Sequence, residues 1–482
     1  MNFDEVSCKD MCLNLYFWQS ISKNNGFKLL CTMKINSYLN SFVFSILIFS
    51  LFVCAPFALF AQTENLKLSL KEAIEYGLKN RKDVQNQEIS VKISENEIEK
   101  IRTRSIPQLS AGLDFRYNSL LAPSFTGAGL FGNPEPLILR FGAPHSNNVS
   151  LNAYYELFNP TTFSDKQIAQ KNIVVQQTNT EKYVIDIKFS ISQAYYAALL
   201  SEEKAKFSTA NLARTEQYFK EGKEKIKNTG ISQNDFDRLR LDYENAKINY
   251  EEEVKNLLLS KMNLANQLGT SMNVNISLSE SLEGILKSLP SSIIAQTDIS
   301  KRVEMRQAHL FLEQHKLQMK KQDRLFMPTF ALYGTWATSQ LSSDFQLFNG
   351  QWWFPYHFVG FSVNMKLFDG LSRNRTKNEY RMRILQSENT IQKLQSDLNY
   401  EVASSKMQLQ NAYSKLKTAK NNYALAEDII KTATQQFKEG KITTTELNNA
   451  ENSLSNSQNN LITFYYNFII ALLNYQKAVG EL

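Results

Sequence analysis

Two hydrophobic periods alternate along the chain, one of two residues and one near 3.5, and their order is written twice. Leu109, Ala111, Leu113, Phe115 and Tyr117 alternate with Ser110, Gly112, Asp114, Arg116 and Asn118. Val149, Leu151, Ala153, Tyr155 and Leu157 alternate with Ser150, Asn152, Tyr154 and Glu156. In the second half, Phe361, Val363, Met365 and Leu367 alternate with Ser362, Asn364 and Lys366. A less regular run there carries Leu332 and Trp336 on one parity and Tyr333 and Thr335 on the other. Period two over about ten residues suits a strand with one apolar and one polar face. The longer segments keep 3–4 spacing instead, as in Leu416, Ala419, Tyr423, Ala426, Ile430, Ala433 and Phe437, then Leu447, Ala450, Leu454 and Leu461. Phe236, Leu239, Tyr243 and Ala246 hold matching places in the first half, Phe236 standing 211 residues before Leu447. Such spacing requires helices packed side by side in a coiled-coil manner.

Each half therefore reads helix, strand, loop, strand, long helix, turn, helix. The first repeat spans 62–270, with strands over 107–118 and 147–158. The second spans 298–482, with strands over 328–339 and 359–369, and 271–297 links the two. Opening helices over 65–104 and 298–326 stop at Ile106-Pro107 and Met327-Pro328, because proline cannot continue a helix and pushes its predecessor toward extended geometry. The second strand of each half ends in Leu157-Phe158-Asn159-Pro160 or Leu367-Phe368-Asp369-Gly370. Asn159 and Asp369 are suited to cap the helices that follow, and Pro160 sits where a first helical turn tolerates it. Those helices, 161–228 and 371–439, contain no proline. At 1.5 Å per residue each extends roughly 100 Å.

Composition supports this picture and adds a leader. The 482 residues include only 17 Gly and 10 Pro, few breakers for so long a chain. All four cysteines, Cys8, Cys12, Cys31 and Cys54, precede residue 55. Disulfides, thiolate metal sites and Cys nucleophiles are thereby excluded from the rest. Met33-Lys34 opens a basic start, Phe42–Phe60 is nearly continuous apolar sequence, and Ala61-Gln62 offers a cleavage point. Residues 1–61 are thus assigned to an over-extended start and a signal peptide. A retained membrane anchor is the competing reading of 42–60, and Pro56 and the small residue at the end favour cleavage. The net charge of +7 is spread over mixed-sign segments, so no basic patch for nucleic acid stands out.

Four amphipathic strands cannot remain an open sheet, least of all in a membrane, where unpaired edges are forbidden. Four are also too few to close a barrel alone. Closure requires several copies around a wet interior lined by Asp114, Arg116, Asn152, Glu156, Asn364 and Lys366. The strand–helix switches at Pro107, Asn159, Pro328 and Asp369 put all helices on one side of that barrel. The loops 119–147 and 339–358 face the other side. Gly127–Gly132 lacks the strand–loop–helix context of a phosphate site and reads as a loop. Trp352, Trp353, Phe354 and Tyr356 suit either a membrane-interface belt or ordinary loop packing.

The duplicated order, the Pro107 and Pro328 switches, the L-F-[ND] strand ends and the segment Phe437-Lys438-Glu439-Gly440-Lys441-Ile442-Thr443-Thr444-Thr445-Glu446-Leu447 together resemble the TolC-like outer-membrane efflux factor family. The resemblance covers about 65–481. It implies a mainly α fold with a membrane β-barrel: a long helical-hairpin tunnel plus four β-strands per chain, in a homotrimer with a twelve-stranded barrel. It also implies the outer membrane of a Gram-negative bacterium, with the tunnel in the periplasm. The partners implied are outer-membrane lipid, a periplasmic adaptor (membrane fusion) protein and an inner-membrane pump of RND, ABC or MFS type. The function implied is that of a passive duct in tripartite efflux or type I secretion, exporting small molecules or proteins. By the same resemblance the tunnel tip is narrowed at Glu446 and Asn449, with Asp235 in the matching place of the first half. Positions that are polar in some members are apolar here, at Phe437 and Ile442. The linker 271–297 would belong to an equatorial belt.

No catalytic residues, cofactor or metal site are expected. His145, His309, His315 and His357 are scattered, and His309 and His315, six apart, share no ligand face. G-x-S-x-G, H-E-x-x-H and P-loop motifs are missing. The competing readings are a non-efflux porin-like barrel, which would need more strand, and a periplasmic coiled-coil structural protein, which leaves the strands unexplained.

Overall fold

The computed structural model describes residues 65–127, 134–135, 137–227, 230–272, 274–281, 284, 299–346 and 353–482. The leader reading, the four cysteines, Trp352, the glycine-rich stretch from 128 and much of the linker fall outside them. The first half contains β1 (Asn65–Leu68), α1 (Leu70–Asn80), α2 (Lys82–Thr103), β2 (Gln108–Tyr117), β3 (Pro123–Thr126), β4 (Leu137–Arg140) and β5 (His145–Phe158). It continues with α3 (Pro160–Lys227) and α4 (Gln233–Leu268). After β6 (Asn275–Leu278) and a short 3₁₀ turn come α5 (Val303–Arg324), β7 (Thr329–Ser342), β8 (Trp353–Asn364), α6 (Ser372–Lys438) and α7 (Thr444–Val479).

Both expected opening helices are shorter than the periodicity suggests, and for the same reason. The span 65–104 is not one helix: a strand occupies its start, and Arg81 breaks the remainder in extended geometry (φ −66°, ψ 126°). Arg81 Nη1 donates to the Gln267 carbonyl near the end of α4 at 2.9 Å, and its other nitrogens pair with Asp83. In the second half Arg302 (φ −59°, ψ 139°) opens α5, donates through Nη1 to the Ala478 carbonyl at 2.6 Å, and pairs with Glu304 at 3.0 Å. An Arg-x-acid clamp is thus written twice. Each guanidinium meets the negative C-terminal end of the last helix of its own half, where a cation is favoured.

Strand β1 lies parallel to β6, Leu66 opposite Ile276 and Leu68 opposite Leu278. The linker is therefore stitched to the start of the described chain, and Leu68 and Ile276 enter the main core. That core lies at mid-helix, where Ile191, Tyr195, Leu264, Leu416 and Phe468 are almost fully buried. A second cluster toward the helical turns joins Tyr218, Leu239, Ile430, Phe437, Leu447 and Leu454. Burial of each large side chain contributes about 1.5–3 kcal/mol, which holds helices of this length in register.

The main sheet runs β2-β5-β7-β8, antiparallel throughout. Strands β2 and β8 are its open edges. The helices follow the same sequence of neighbours. Nearer the sheet, α2 packs on α3, α3 on α5 and α5 on α6. Toward the turns, α4 pairs with α3, α3 meets α7, and α7 pairs with α6. First-half elements (β2, α2, α4) are free on one flank, and second-half elements (β8, α6) on the other.

Candidate channel lining and tunnel tip

Cross-strand partners point to the same face of a sheet, so the register sorts every strand residue. One face carries Leu109, Leu113, Leu151, Leu332, Trp336, Phe361 and Val363, linked by the pairs Leu109–Ala153, Ala111–Leu151, Leu151–Trp336 and Leu332–Phe361. Leu109 and Leu113 are 82% and 70% exposed, an apolar surface that no described residue covers. The other face carries Asp114, Arg116, Asn152, Glu156 and Asn364, as the alternation implies, through the pairs Asp114–Asn148, Asn152–Thr335, Glu156–Ala331 and Asn364–Thr329. Asp114 and Arg116 form an ion pair at 3.6 Å, and Thr335 donates to Asn152 at 2.8 Å. Lys366 is a correction: β8 covers Trp353–Asn364 rather than 359–369, so Lys366 lies beyond the strand. The residues after Asn364 are spent on the turn into α6, where Gly370 and Leu371 both take left-handed geometry (φ 67° and 66°).

The shift of β8 also changes its aromatic run. Trp353 pairs with Gln340 on the apolar face, but Phe354, Tyr356 and Phe358 pair with Ser339, Ala337 and Thr335 on the polar one. Phe354 and Tyr356 are therefore not part of a lipid-side belt, because strand parity turns them away from the apolar surface. Tyr333 of β7 lies against Gly360, where an added Cβ would approach its ring to 2.5 Å, and stands edge-on to Phe358 with centroids 6.2 Å apart. The alternation of 361–367 carries no hint of this, since residues 353–358 are bulky at both parities.

Where sheet meets helix, Asn159 bonds the first turn of its helix, whereas Asp369, expected as the N-cap, stands two residues ahead of it. Pro107 and Pro328 each immediately precede a strand. Asn159 Oδ1 accepts the Thr161 N–H at 2.9 Å at the start of α3. Asp369 Oδ2 accepts the Arg373 N–H at 2.8 Å, reaching α6 from two residues ahead of its N-cap, Leu371. Below the strands Asp165 holds both Arg104 (2.8 Å) and Lys321 (2.6 Å).

At the opposite end each hairpin turns into a capped helix. Ser232 caps α4 through the Asp235 N–H, and Thr443 caps α7 through the Glu446 N–H in a complete capping box. The Thr443 N–H and hydroxyl both donate to Glu446 Oε2, at 2.8 and 3.0 Å, which holds that exposed carboxyl below the usual range. Asn449 is exposed one turn further along. Asp235 accepts from the Ser232 hydroxyl at 2.6 Å and from the Thr444 hydroxyl of the other hairpin, and these bonds lower its pKa. The structure thus joins Asp235 to the second-half tip through Thr444 rather than through Glu446. Phe437 is 2% exposed; Lys225 Nζ sits 4.2 Å over its ring and donates to its carbonyl at 2.7 Å. An apolar plug occupies this place, with Ile442 packed at its edge.

Beside it a cavity of about 150 Å³ is lined by Asn211, Tyr218, Asp242, Asn448 and Glu451. Burial raises the Asp242 pKa, and burial carries the Tyr218 hydroxyl to about 12. Among the described residues no group of His, Cys, Asp and Glu could hold a metal, and no helix is long and apolar enough to cross a membrane.

Comparison with known proteins adds a likeness in the second half and in the fold. No curated protein sequence matches the chain. The fold matches solved structures over 85% of the chain, at identities that speak for the fold alone. These include the open state of the MtrE outer membrane channel of Neisseria gonorrhoeae (TM-score 0.64, 16% identity, 88% of that chain). They also include the outer membrane protein VceC of Vibrio cholerae (0.62, 15%, 96%) and the CmeC outer membrane channel of Campylobacter jejuni (0.62, 13%, 85%). The family model "Outer membrane efflux protein" matches residues 295–481, and the first half repeats the order of elements found there. By that match residues 295–481 are similar to the outer membrane efflux protein family, and the chain shares its fold with solved outer-membrane channels.

Proposed function

We propose that three copies of the chain close head to tail into one outer-membrane duct, with β8 of each copy pairing with β2 of the next. The observation that carries this reading is the common polarity of the open flanks. Strand edges, upper helices and lower helices all end with the first half on one side and the second half on the other. An even number of strands per copy lets every junction, including the one between copies, remain antiparallel. The free helices also carry uncovered apolar side chains: Ile89 and Ile93 on α2, Leu241, Ile248 and Leu258 on α4, and Met382, Leu385 and Met407 on α6. Patches of this kind mark surfaces that another chain covers.

In the assembled duct the apolar sheet face meets outer-membrane lipid. Asp114, Arg116, Asn152, Glu156 and Asn364 line a wet lumen, with Lys366 at its inner rim. Glu446 and Asn449 ring the periplasmic tip, with Asp235 bracing the junction behind them. The duct is passive and receives its cargo from a periplasmic adaptor and an inner-membrane pump in tripartite efflux or type I secretion. No step in this role calls for catalysis.

Cross-linking tests the closure. Residues 55–482 contain no cysteine, so single cysteines introduced on β2 and β8 report only on that seam. Copies should link across the seam into species that end at three in detergent. Products that stop at two, or links only within a chain, would overturn the assembly.

A further inference from the structure

The polar sheet face holds five aromatic rings that a wet lumen does not require. Phe354, Tyr356 and Phe358 occupy successive lumen positions of β8. Tyr333 of β7 and Tyr154 of β5 are cross-strand partners on the same face and carry the run inward. All are substantially exposed, from 40% at Tyr333 to 57% at Phe354. Elsewhere on this face stand mostly Gln108, Ser110, Gly112, Asn148, Ser150 and Ser362, so the rings form a track rather than a general lining.

Neither of the ordinary reasons for a ring fits this row. Lipid contact is ruled out by parity. Burial at the seam between copies would need bulk on the facing strand, yet the lumen face of β2 offers Ser110 and Gly112 between its polar and charged residues. The inner end of the track meets a carboxylate: Glu156 follows Tyr154 on the same face and has no ion pair among the described residues, whereas Asp114 is paired with Arg116. Exposed ring faces attract cations and stack on flat π-systems.

From this geometry we infer that the barrel lumen carries a binding track for planar aromatic cations, running from Phe354 at the outer end to Tyr154 and Glu156 at the inner end. The inference rests on the duct reading above and names the class of solute that this duct favours. A solute of that class moves from ring to ring without leaving the lumen wall, and the Glu156 carboxylate draws it to the inner end. Non-aromatic cations and aromatic anions gain only part of this.

Planar-bilayer recordings on the detergent-purified assembly test it, with ethidium as the planar aromatic cation, tetraethylammonium as the non-aromatic cation and benzoate as the aromatic anion. Ethidium should block the current reversibly and at the lowest concentration of the three. The combined Phe354→Leu, Tyr356→Leu and Phe358→Leu variant keeps apolar bulk and removes the π-faces. Its half-blocking concentration for ethidium should rise about tenfold, the scale of a few exposed cation–π contacts, while that for tetraethylammonium, which meets ring faces but cannot stack on them, rises less. Glu156→Gln should weaken block by both cations and leave benzoate unaffected. Unchanged ethidium block in the leucine variant, with the assembly equally heat-resistant, would overturn the track alone. An assembly that conducts nothing in any form would sink the duct reading and the track together.

Discussion

At the first-half tip Ser232 caps α4, and Asp235 stands at the third helical position; at the second-half tip Thr443 caps α7, and Glu446 stands at the same position. Both helices run 36 residues and end on a left-handed glycine. The acids nevertheless do different work. Asp235 is one methylene shorter and is tied to Thr444 across the junction between hairpins. Glu446 curls back on its own N-cap through Oε2, and the exposed group keeps its charge toward solvent. One copy of the repeat has become a brace, while the other turns its acid to solvent. Duplication supplies two equal turns, and the side chains that cross between them decide which acid stays open to solvent.

The same comparison at the other end of these helices gives the largest expected effect. Gly269 (φ 71°) and Gly480 (φ 80°) are equivalent caps in the left-handed region. A Cβ on Gly269 would lie 3.0 Å from Arg81 Cγ and 3.1 Å from Arg81 Cα, whereas one on Gly480 meets nothing nearer than Arg302 Cδ at 3.7 Å. Arg81 cannot easily retreat, because the Gln267 carbonyl and Asp83 pin it. Gly269→Ala should therefore cost about 3 kcal/mol, strain plus overpacking. Gly480→Ala should cost about 1 kcal/mol, the strain alone. Denaturant midpoints of the two variants check the difference, and equal losses would show that the first-half clamp yields as freely as the second.

Much of this architecture was legible in the residues. The long helices expected over 161–228 and 371–439 are observed at Pro160–Lys227 and Ser372–Lys438, because a heptad seam without proline leaves little choice. The lumen residues from Asp114 to Asn364 share a face, because period two is rigid once a strand is placed. Three features escaped. Arg81 and Arg302 break helices through contacts with carbonyls 186 and 176 residues away, which no local period records. The β1–β6 pairing joins two four-residue strands, too short to show an alternation. The rings of β8 escaped because Trp-Phe-Pro-Tyr-His-Phe is bulky on both parities, so only pairing with β7 decides which side each ring takes. At the tip the acids were legible as residue types, but not which of them would be tied across the junction.

A smaller effect concerns the cavity behind the Asp235 brace. Asp242 is a partly buried carboxyl whose Oδ2 has no hydrogen-bond partner among the described residues. Burial is the main reason its pKa is raised, Glu451 adds to it, and Asn448 and Arg238 act against it. A carboxyl with a raised folded pKa contributes stability below its ordinary value near 3.8, and that contribution is lost as pH rises through the folded value. The junction should thus be under tension at neutral pH and tighten on acidification. Asp242→Asn should add about 1 kcal/mol at pH 7, the scale of an unsatisfied buried polar group. Below the folded pKa the gain should disappear. Thermal midpoints of both proteins across that range decide the matter, and a gain independent of pH would place its origin in packing instead.

The smallest effect separates the two tip acids directly. Three copies of Glu446 around the aperture would attract cations in a narrow wet pore, whereas Asp235 has its charge committed to Ser232 and Thr444. Glu446→Gln should lower the cation preference of the open duct by about twofold, the scale of unit charges acting across roughly 10 Å of water. Block by multivalent cations should weaken with it. Asp235→Asn should leave selectivity in place and instead loosen the junction, seen as faster proteolysis at the turn. The bonds from Thr443 keep the Glu446 carboxyl below its ordinary value of 4.5. Its charge, and the capping that depends on it, should therefore persist at and above that pH and be lost only as pH falls through the lowered value. Selectivity that tracks Asp235 as strongly as Glu446, or that titrates well above pH 4.5, would mean that the two tips act alike and that the brace is no brace.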